Sequence, residues 1–198
     1  MNKLFLIISF LITSFCVKAA GLDPITTNAY LPGSFAVINN GKVAPILVSE
    51  TDWAGVIRAA KNLQTDVEKV SGIAPAFVTD KVQEMPIIIG TIGKSKLIDE
   101  MIGNRSINVS AIAGKWEATL IQVVKNPVKG IDSALVIVGS DKRGTIYGIY
   151  ELSYQIGVSP WYYWADVPVK KSNSIFVIAG QHVISSPAVK YRGIFLND

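Results

Sequence analysis

Apolar positions along the chain change period several times. Residues 34–38 read as a strand, Asn39-Asn40-Gly41 as a turn, and 44–48 as a second short apolar run, so the two runs suggest a hairpin. Val56, Ala59, Ala60, Leu63, Val67 and Val70 then step by three and four, the spacing of a helix face. Thr51 or Asp52 stands where a cap belongs, Gly72 where the helix stops, and Pro75 just beyond. Phe77-Val78 begins a brief strand, and residues 86–90 form a fully apolar run of the kind buried on both faces. A short helix is expected over 95–102, a strand over 116–124 with Glu117 and Gln122 outward, and a buried strand over 134–138. A helix over 145–156 ends at Gly157, and a last strand covers 175–178. Strands alternating with helices predict an α/β layered domain. Residues 189–198, VKYRGIFLND, read as one more strand whose polar end is the chain end.

The first residues obey a different pattern. Lys3 precedes an almost wholly apolar run over 4–15, and Val17-Lys18-Ala19 supplies small residues suited to a signal peptidase. That predicts a secretory signal over 1–19 and export to the periplasm or medium. The run is short of the roughly 20 apolar residues of a membrane span, so no membrane association is expected once it is removed. Cys16, the sole cysteine, goes with it, which leaves no disulfide within the remainder. Loss of Lys3 and Lys18 from 19 basic residues leaves 17 against 15 acidic, a net of +2. That balance gives no reason to expect a nucleic-acid partner.

Candidate chemistry sits in two loops and one aromatic run. Gly90-Thr91-Ile92-Gly93-Lys94-Ser95 follows a buried strand and opens a helix, as a phosphate loop would. Two residues separate its glycines where the phosphate loop requires four, and Ile88 stands where the first glycine belongs. A plain strand–helix turn is the better account. Asp141-Lys142-Arg143-Gly144 could hold an anion at a helix start, but its spacing fits better a capping aspartate and a tight bend at glycine. His182 is the only histidine, and with no cysteine beside it no His/Cys metal site is expected; it reads as a linker residue. No cofactor is implied. Asn104-Arg-Ser106 and Asn108-Val-Ser110 match the glycosylation pattern without further support. Trp161-Tyr162-Tyr163-Trp164 can cement a domain join, present faces for sugar rings, or meet a protein partner. In an extended chain Trp161 and Tyr163 share one side, and Tyr162 and Trp164 the other.

At GSDKRGTIYGIYELSYQIGVSPWYYWADVPV (139–169) and KYRGIFLND (190–198) the chain resembles glycoside hydrolase family 115, exported α-glucuronidases acting on glucuronoxylan. The resemblance covers about 35–198. Tyr154 stands where the family has an acid, and Tyr163 where it has tryptophan. The resemblance implies a signal peptide over 1–19, a leader over 20–33, and an accessory α/β sandwich-like domain of the hexosaminidase N-terminal type over 34–182. Residues 183–198 would start a truncated (β/α)8 barrel, with its first strand over 190–196. Asn197 and Asp198 would then stand at the active end of that strand. It implies Trp161 and Asn197 as substrate-binding residues and Asp198 as a pocket carboxylate of unassigned role. The substrate would be glucuronoxylan or its oligosaccharides, and a homodimer of the intact protein is left open. The reaction implied is inverting hydrolysis, whose acid and base are roughly 6.5–9.5 Å apart. The partners of Asp198 would lie on later strands, so this chain alone is expected to be inactive. The rival readings are a stand-alone carbohydrate-binding or adhesion module, and a nucleotide-binding α/β protein.

Overall fold

The computed structural model describes residues 23–79 and 85–193. The strands are β1 (Thr26–Thr27), β2 (Phe35–Asn39), β3 (Lys42–Val43), β4 (Ile46–Val48), β5 (Phe77–Val78), β6 (Ile87–Thr91), β7 (Thr119–Lys125), β8 (Ser133–Gly139), β9 (Ser174–Val177) and β10 (Gln181–Ile184). The helices are α1 (Ala54–Ser71), α2 (Lys96–Gly103) and α3 (Lys142–Gln155). A small antiparallel sheet has the order β1-β9-β2-β3, and a larger one the order β10-β7-β8-β6-β4-β5. In the larger sheet β8, β6, β4 and β5 are parallel; β7 runs against them, and β10, antiparallel to β7, runs in their direction again. The α/β layering expected from the sequence is therefore present. Among the described residues no helix is long and apolar enough to cross a membrane.

The continuous apolar runs are explained by cover on both faces of the larger sheet. Ile46, Val48, Ile87, Ile89, Leu135 and Ile137 pack into one cluster with α1, α3 and the small sheet. Their alternate neighbours Leu47, Ile88, Val136 and Val138 pack on the other side with α2 and residues 107–112. α1 buries the face its spacing predicts and stops at Gly72, whose φ of 82° closes the helix with an N–H to the Glu68 carbonyl.

Four expectations are corrected. The hairpin is real, with Asn40 and Gly41 both at positive φ as a tight two-residue turn requires, but the partner of β2 is β3. Pro45 has no N–H to continue the ladder, and Ile46–Val48 departs into the larger sheet beside β6 and β5. Asp52 does not cap α1: the first turn has no side-chain cap, because this carboxylate is buried and engaged with Thr91. Glu117 is not outward but buried, two residues ahead of β7. His182 lies in β10 opposite Ile121 rather than in a linker, its Nε2 3.0 Å from the Ile178 carbonyl oxygen. Strand β10 forms one edge of the larger sheet. The two glycosylation-like asparagines are turn formers, each accepting the amide two residues on, from Ser106 and Ser110.

α3 can sit close to the sheet only because of glycine. A methyl group at Gly144 would meet the Ala118 carbonyl oxygen at 2.3 Å, and one at Gly148 would meet Thr119 Cγ2 at 2.3 Å and Ile137 Cγ2 at 2.8 Å. Gly148→Ala is expected to lower unfolding free energy by about 1–2 kcal/mol, overpacking outweighing the gain in helix propensity. Gly103→Ala, where a methyl meets nothing within 4 Å, should be neutral or mildly stabilising. Urea denaturation of both variants checks the pair, and equal effects would refute the close-approach account.

Candidate functional site

Ligand sites in sheets of this kind form outside the carboxyl ends of parallel strands, where successive loops leave toward opposite faces. That condition is met at β6 and β8. The loop after β6 leads to α2 on one face, and the loop after β8 leads to α3 on the other. Between them opens a shallow cavity of about 390 Å³, bounded by Trp53 at the start of α1, Ile92 to Lys94, and Ser140 to Arg143. The two loops that the sequence singled out separately are thus the two walls of one cavity.

Buried polar groups shape its floor. Asp52 accepts from the Trp53 amide at 2.7 Å, the Thr91 amide at 2.8 Å and the Thr91 hydroxyl at 2.9 Å. Thr91 and Thr145 hydroxyls lie 2.8 Å apart, tying β6 to α3. On the other wall Asp141 accepts from Gly144 N at 2.8 Å and from Glu117 N at 2.9 Å. This is the capping role the sequence favoured for it. The amides after β6 are occupied as well: Ile92 donates to Gly139 O, Gly93 to Asp99 Oδ1, and Lys94 and Ser95 to Thr91 O. A phosphate loop needs free amides, so the structure gives a second reason, beside spacing, to set that reading aside.

Glu117 is the residue that sequence reasoning missed. Its side chain is only 4 % exposed, yet its carboxylate receives Arg143 Nη1 at 2.6 Å and Arg192 Nη2 at 2.5 Å. Its φ of 53° lies in the left-handed region, which non-glycine residues seldom occupy. The hydrogen bond to Glu117 holds the Arg192 guanidinium above its ordinary value, with Tyr147 assisting. Arg192 also lies 5.9 Å from the Trp116 ring, and Ser186 Oγ donates to the Trp116 carbonyl. The segment before residue 194 is therefore pinned to the starts of β7 and α3. No sequence signal marks this: a lone glutamate before an apolar strand resembles any surface residue, and its partners lie 26 and 75 positions away.

The described part of the C-terminal segment, through Gly193, forms no strand. A strand needs a ladder partner, and among the described residues it has none. Asn197 and Asp198 lie outside the described residues, as does the 1–19 segment. Trp161 is described. The aromatic run is not extended but curls into a turn, with Ala165 N donating to Trp161 O at 2.9 Å and Tyr162 N to Ser159 O at 3.0 Å. The expected alternation of sides therefore fails. Tyr162 packs against the core with Tyr163 edge-on to it at 4.8 Å, while Trp161, Tyr163 and Trp164 are exposed by 62, 79 and 85 %. Lys69 lies 4.3 Å from the Tyr162 ring and donates to Tyr163 Oη. Partial burial opposes its charge, but Tyr163 and Asp66 outweigh that and raise its pKa above the ordinary lysine value. Trp161 follows the C-terminal end of α3 and Arg143 its N-terminal end, so the helix, about 21 Å long, separates them. Among the described residues no group of three or more His, Cys, Asp or Glu could hold a metal ion.

Fold and site together define a mixed α/β domain with a cation-lined carboxyl edge and an exposed aromatic turn. No family model and no curated protein matches the chain. A solved structure does. It is described as a novel family GH115 4-O-methyl-α-glucuronidase, BtGH115A, with specificity for decorated arabinogalactans, and is similar at 32 % identity with a TM-score of 0.62. The similarity covers 79 % of this chain and 19 % of that one, so this chain spans about a fifth of its relative's length.

Removing the charge of Glu117 should free the segment it holds. Glu117→Gln is expected to speed tryptic cleavage after Lys190 and Arg192 at least tenfold, with cleavage elsewhere in the domain little changed. Limited proteolysis read by mass spectrometry checks this, and unaltered cleavage at those two sites would show that the arginine bridges do no anchoring.

Proposed function

We propose that this chain is the N-terminal part of a family 115 glycoside hydrolase. The activity proposed for the longer polypeptide is removal of (4-O-methyl)glucuronic acid side chains from glucuronoxylan by inverting hydrolysis. The observation that carries the reading is the 32 % identity to a family 115 4-O-methyl-α-glucuronidase over 79 % of this chain. The dense motifs over 139–169 and 190–198 carry the same likeness. On this reading residues 1–19 direct export, and the described domain is the accessory unit ahead of a (β/α)8 barrel, whose first strand residues 190–196 would form only once neighbouring barrel strands supply its ladder.

The same reading assigns the sugar-contacting roles. Asp198 supplies one carboxylate at the carboxyl end of that strand, Asn197 binds the sugar beside it, and Trp161 stands at the pocket wall. The exposure of Trp161 agrees with a ring that awaits a neighbour. Inversion requires a second carboxyl group across the scissile bond to activate water, and the reading places it on later strands. The neighbour is described as specific for decorated arabinogalactans, which makes the polysaccharide the open variable in an assay.

A carbohydrate-binding module is the second reading, favoured by the three exposed rings at 161, 163 and 164. Incubation of this chain, and of the polypeptide encoded by the uninterrupted reading frame, with glucuronoxylan and with arabinogalactan separates the two. The longer polypeptide should release 4-O-methylglucuronic acid, faster from glucuronoxylan, and this chain should release none. Asp198→Asn in the longer polypeptide should lower kcat/KM by roughly 10²–10⁴. Saturable binding of glucuronoxylan by this chain, with no hydrolysis by the longer one, would favour the module.

A further inference from the structure

The cavity between the β6 and β8 loops carries two lysines that no carboxylate among the described residues pairs with directly. Lys94 and Lys142 are exposed and lie 4.3 and 6.0 Å from the centre of the Trp53 ring. Neither has an ion-pair partner among the described residues. Arg143 completes the rim, one of its nitrogens committed to Glu117 and its side chain still 62 % exposed. The nearby carboxylates are held by other groups: Asp52 by two amides and a hydroxyl beneath the cavity, Asp141 by the amides of Gly144 and Glu117, and Asp99 by the amide of Gly93. Their charges offset part of the rim's, but none bridges to Lys94 or Lys142. The same bonds fix Trp53 and the β8 loop, so the cavity is shaped in advance of any ligand.

We propose that this cavity is a second saccharide site, set apart from Trp161 by the length of α3, and that it binds an acidic sugar residue of a polysaccharide chain. The indole of Trp53, 42 % exposed, gives an apolar wall for a pyranose, and the two ammonium groups beside it attract a ring carboxylate. A cavity of about 390 Å³ lies in the size range of small-ligand sites, roughly 300–1,000 Å³. Inorganic phosphate is the poorer ligand, because the amides of residues 92–95 that would cradle it are already bonded within the protein. A site of this kind would hold an acidic polysaccharide near the catalytic part without cleaving it. The choice of a uronate over other carboxylates rests on the proposed function; the cavity and its charge do not.

The test uses this chain with three probes: an aldouronic oligosaccharide cut from glucuronoxylan, neutral xylotriose, and inorganic phosphate. Indole N–H resonances are followed by NMR, with Trp53→Phe assigning the one at the cavity. The acidic oligosaccharide should shift the Trp53 resonance saturably, and xylotriose should not. The double variant Lys94→Ala/Lys142→Ala should weaken binding at least tenfold, and added salt should weaken it further. The inference is overturned if neutral and acidic oligosaccharides bind alike, if Trp161 and Trp164 respond while Trp53 does not, or if the double variant binds normally. Displacement of the sugar by equimolar phosphate would also overturn it. Binding at Trp53 alongside a hydrolytically inactive longer polypeptide would sink the proposed function and leave this site standing.

Discussion

One buried carboxylate sets the geometry of the region where chemistry is proposed. Glu117 sits at the approach to β7 with its backbone in an unfavourable left-handed conformation and its charge out of water. Each of these is costly alone. They persist because Asp141 holds its amide and two arginines hold its carboxylate. Through those bonds the start of α3, the approach to β7 and the segment around Arg192 become one body. The arginines remain partly exposed, so solvent screens part of the attraction. What the bridge contributes most clearly is therefore position: it sets where residues 190–193 leave the domain.

The close seating of α3 belongs to the same arrangement. Gly144 and Gly148 bring the helix backbone down on Ala118 and Thr119, the two residues after Glu117. A bulkier helix face would lift Arg143 away from the carboxylate it bridges. The motif DKRGTIYG thus combines three local requirements. The aspartate caps and reaches Glu117, the arginine reaches the same glutamate from the other side, and the two glycines permit the approach. The sequence suggested the cap and the bend, since both depend on neighbours within a few residues. It could not suggest their purpose, because Ala118 and Glu117 lie more than twenty positions upstream.

That contrast divides what was legible from what was not. α1, α3, β6 and β8 were readable because burial imposes its own period on the chain, and both faces of β6 and β8 are covered. Gly72 and Asp141 were readable because caps act locally. The errors fall where a side chain or strand has a distant partner. Ile46–Val48 left its hairpin for β6, some forty residues on. Asp52 abandoned the helix cap for Thr91, 39 positions away. Glu117 was read into a strand that begins only at Thr119, and its partners lie far along the chain. The aromatic run could be read as extended because four large rings carry no helical or strand period of their own.

α3 gives the surface its two distinct ends. Its first turn adjoins the cation-lined cavity and the Glu117 bridge, while its last turn leads to the aromatic turn at 161–164. Between them Tyr147, Tyr150 and Tyr154 lie partly exposed along its outer side. A helix whose inner face is wedged against the sheet by glycine cannot shift lengthwise without a clash, so the distance between these ends is fixed. A flexible linker could bring an aromatic wall and a cationic cavity together in many ways. A seated helix holds them apart at one separation of about two nanometres. That separation suits recognition of two places on one polymer better than two contacts to a single sugar.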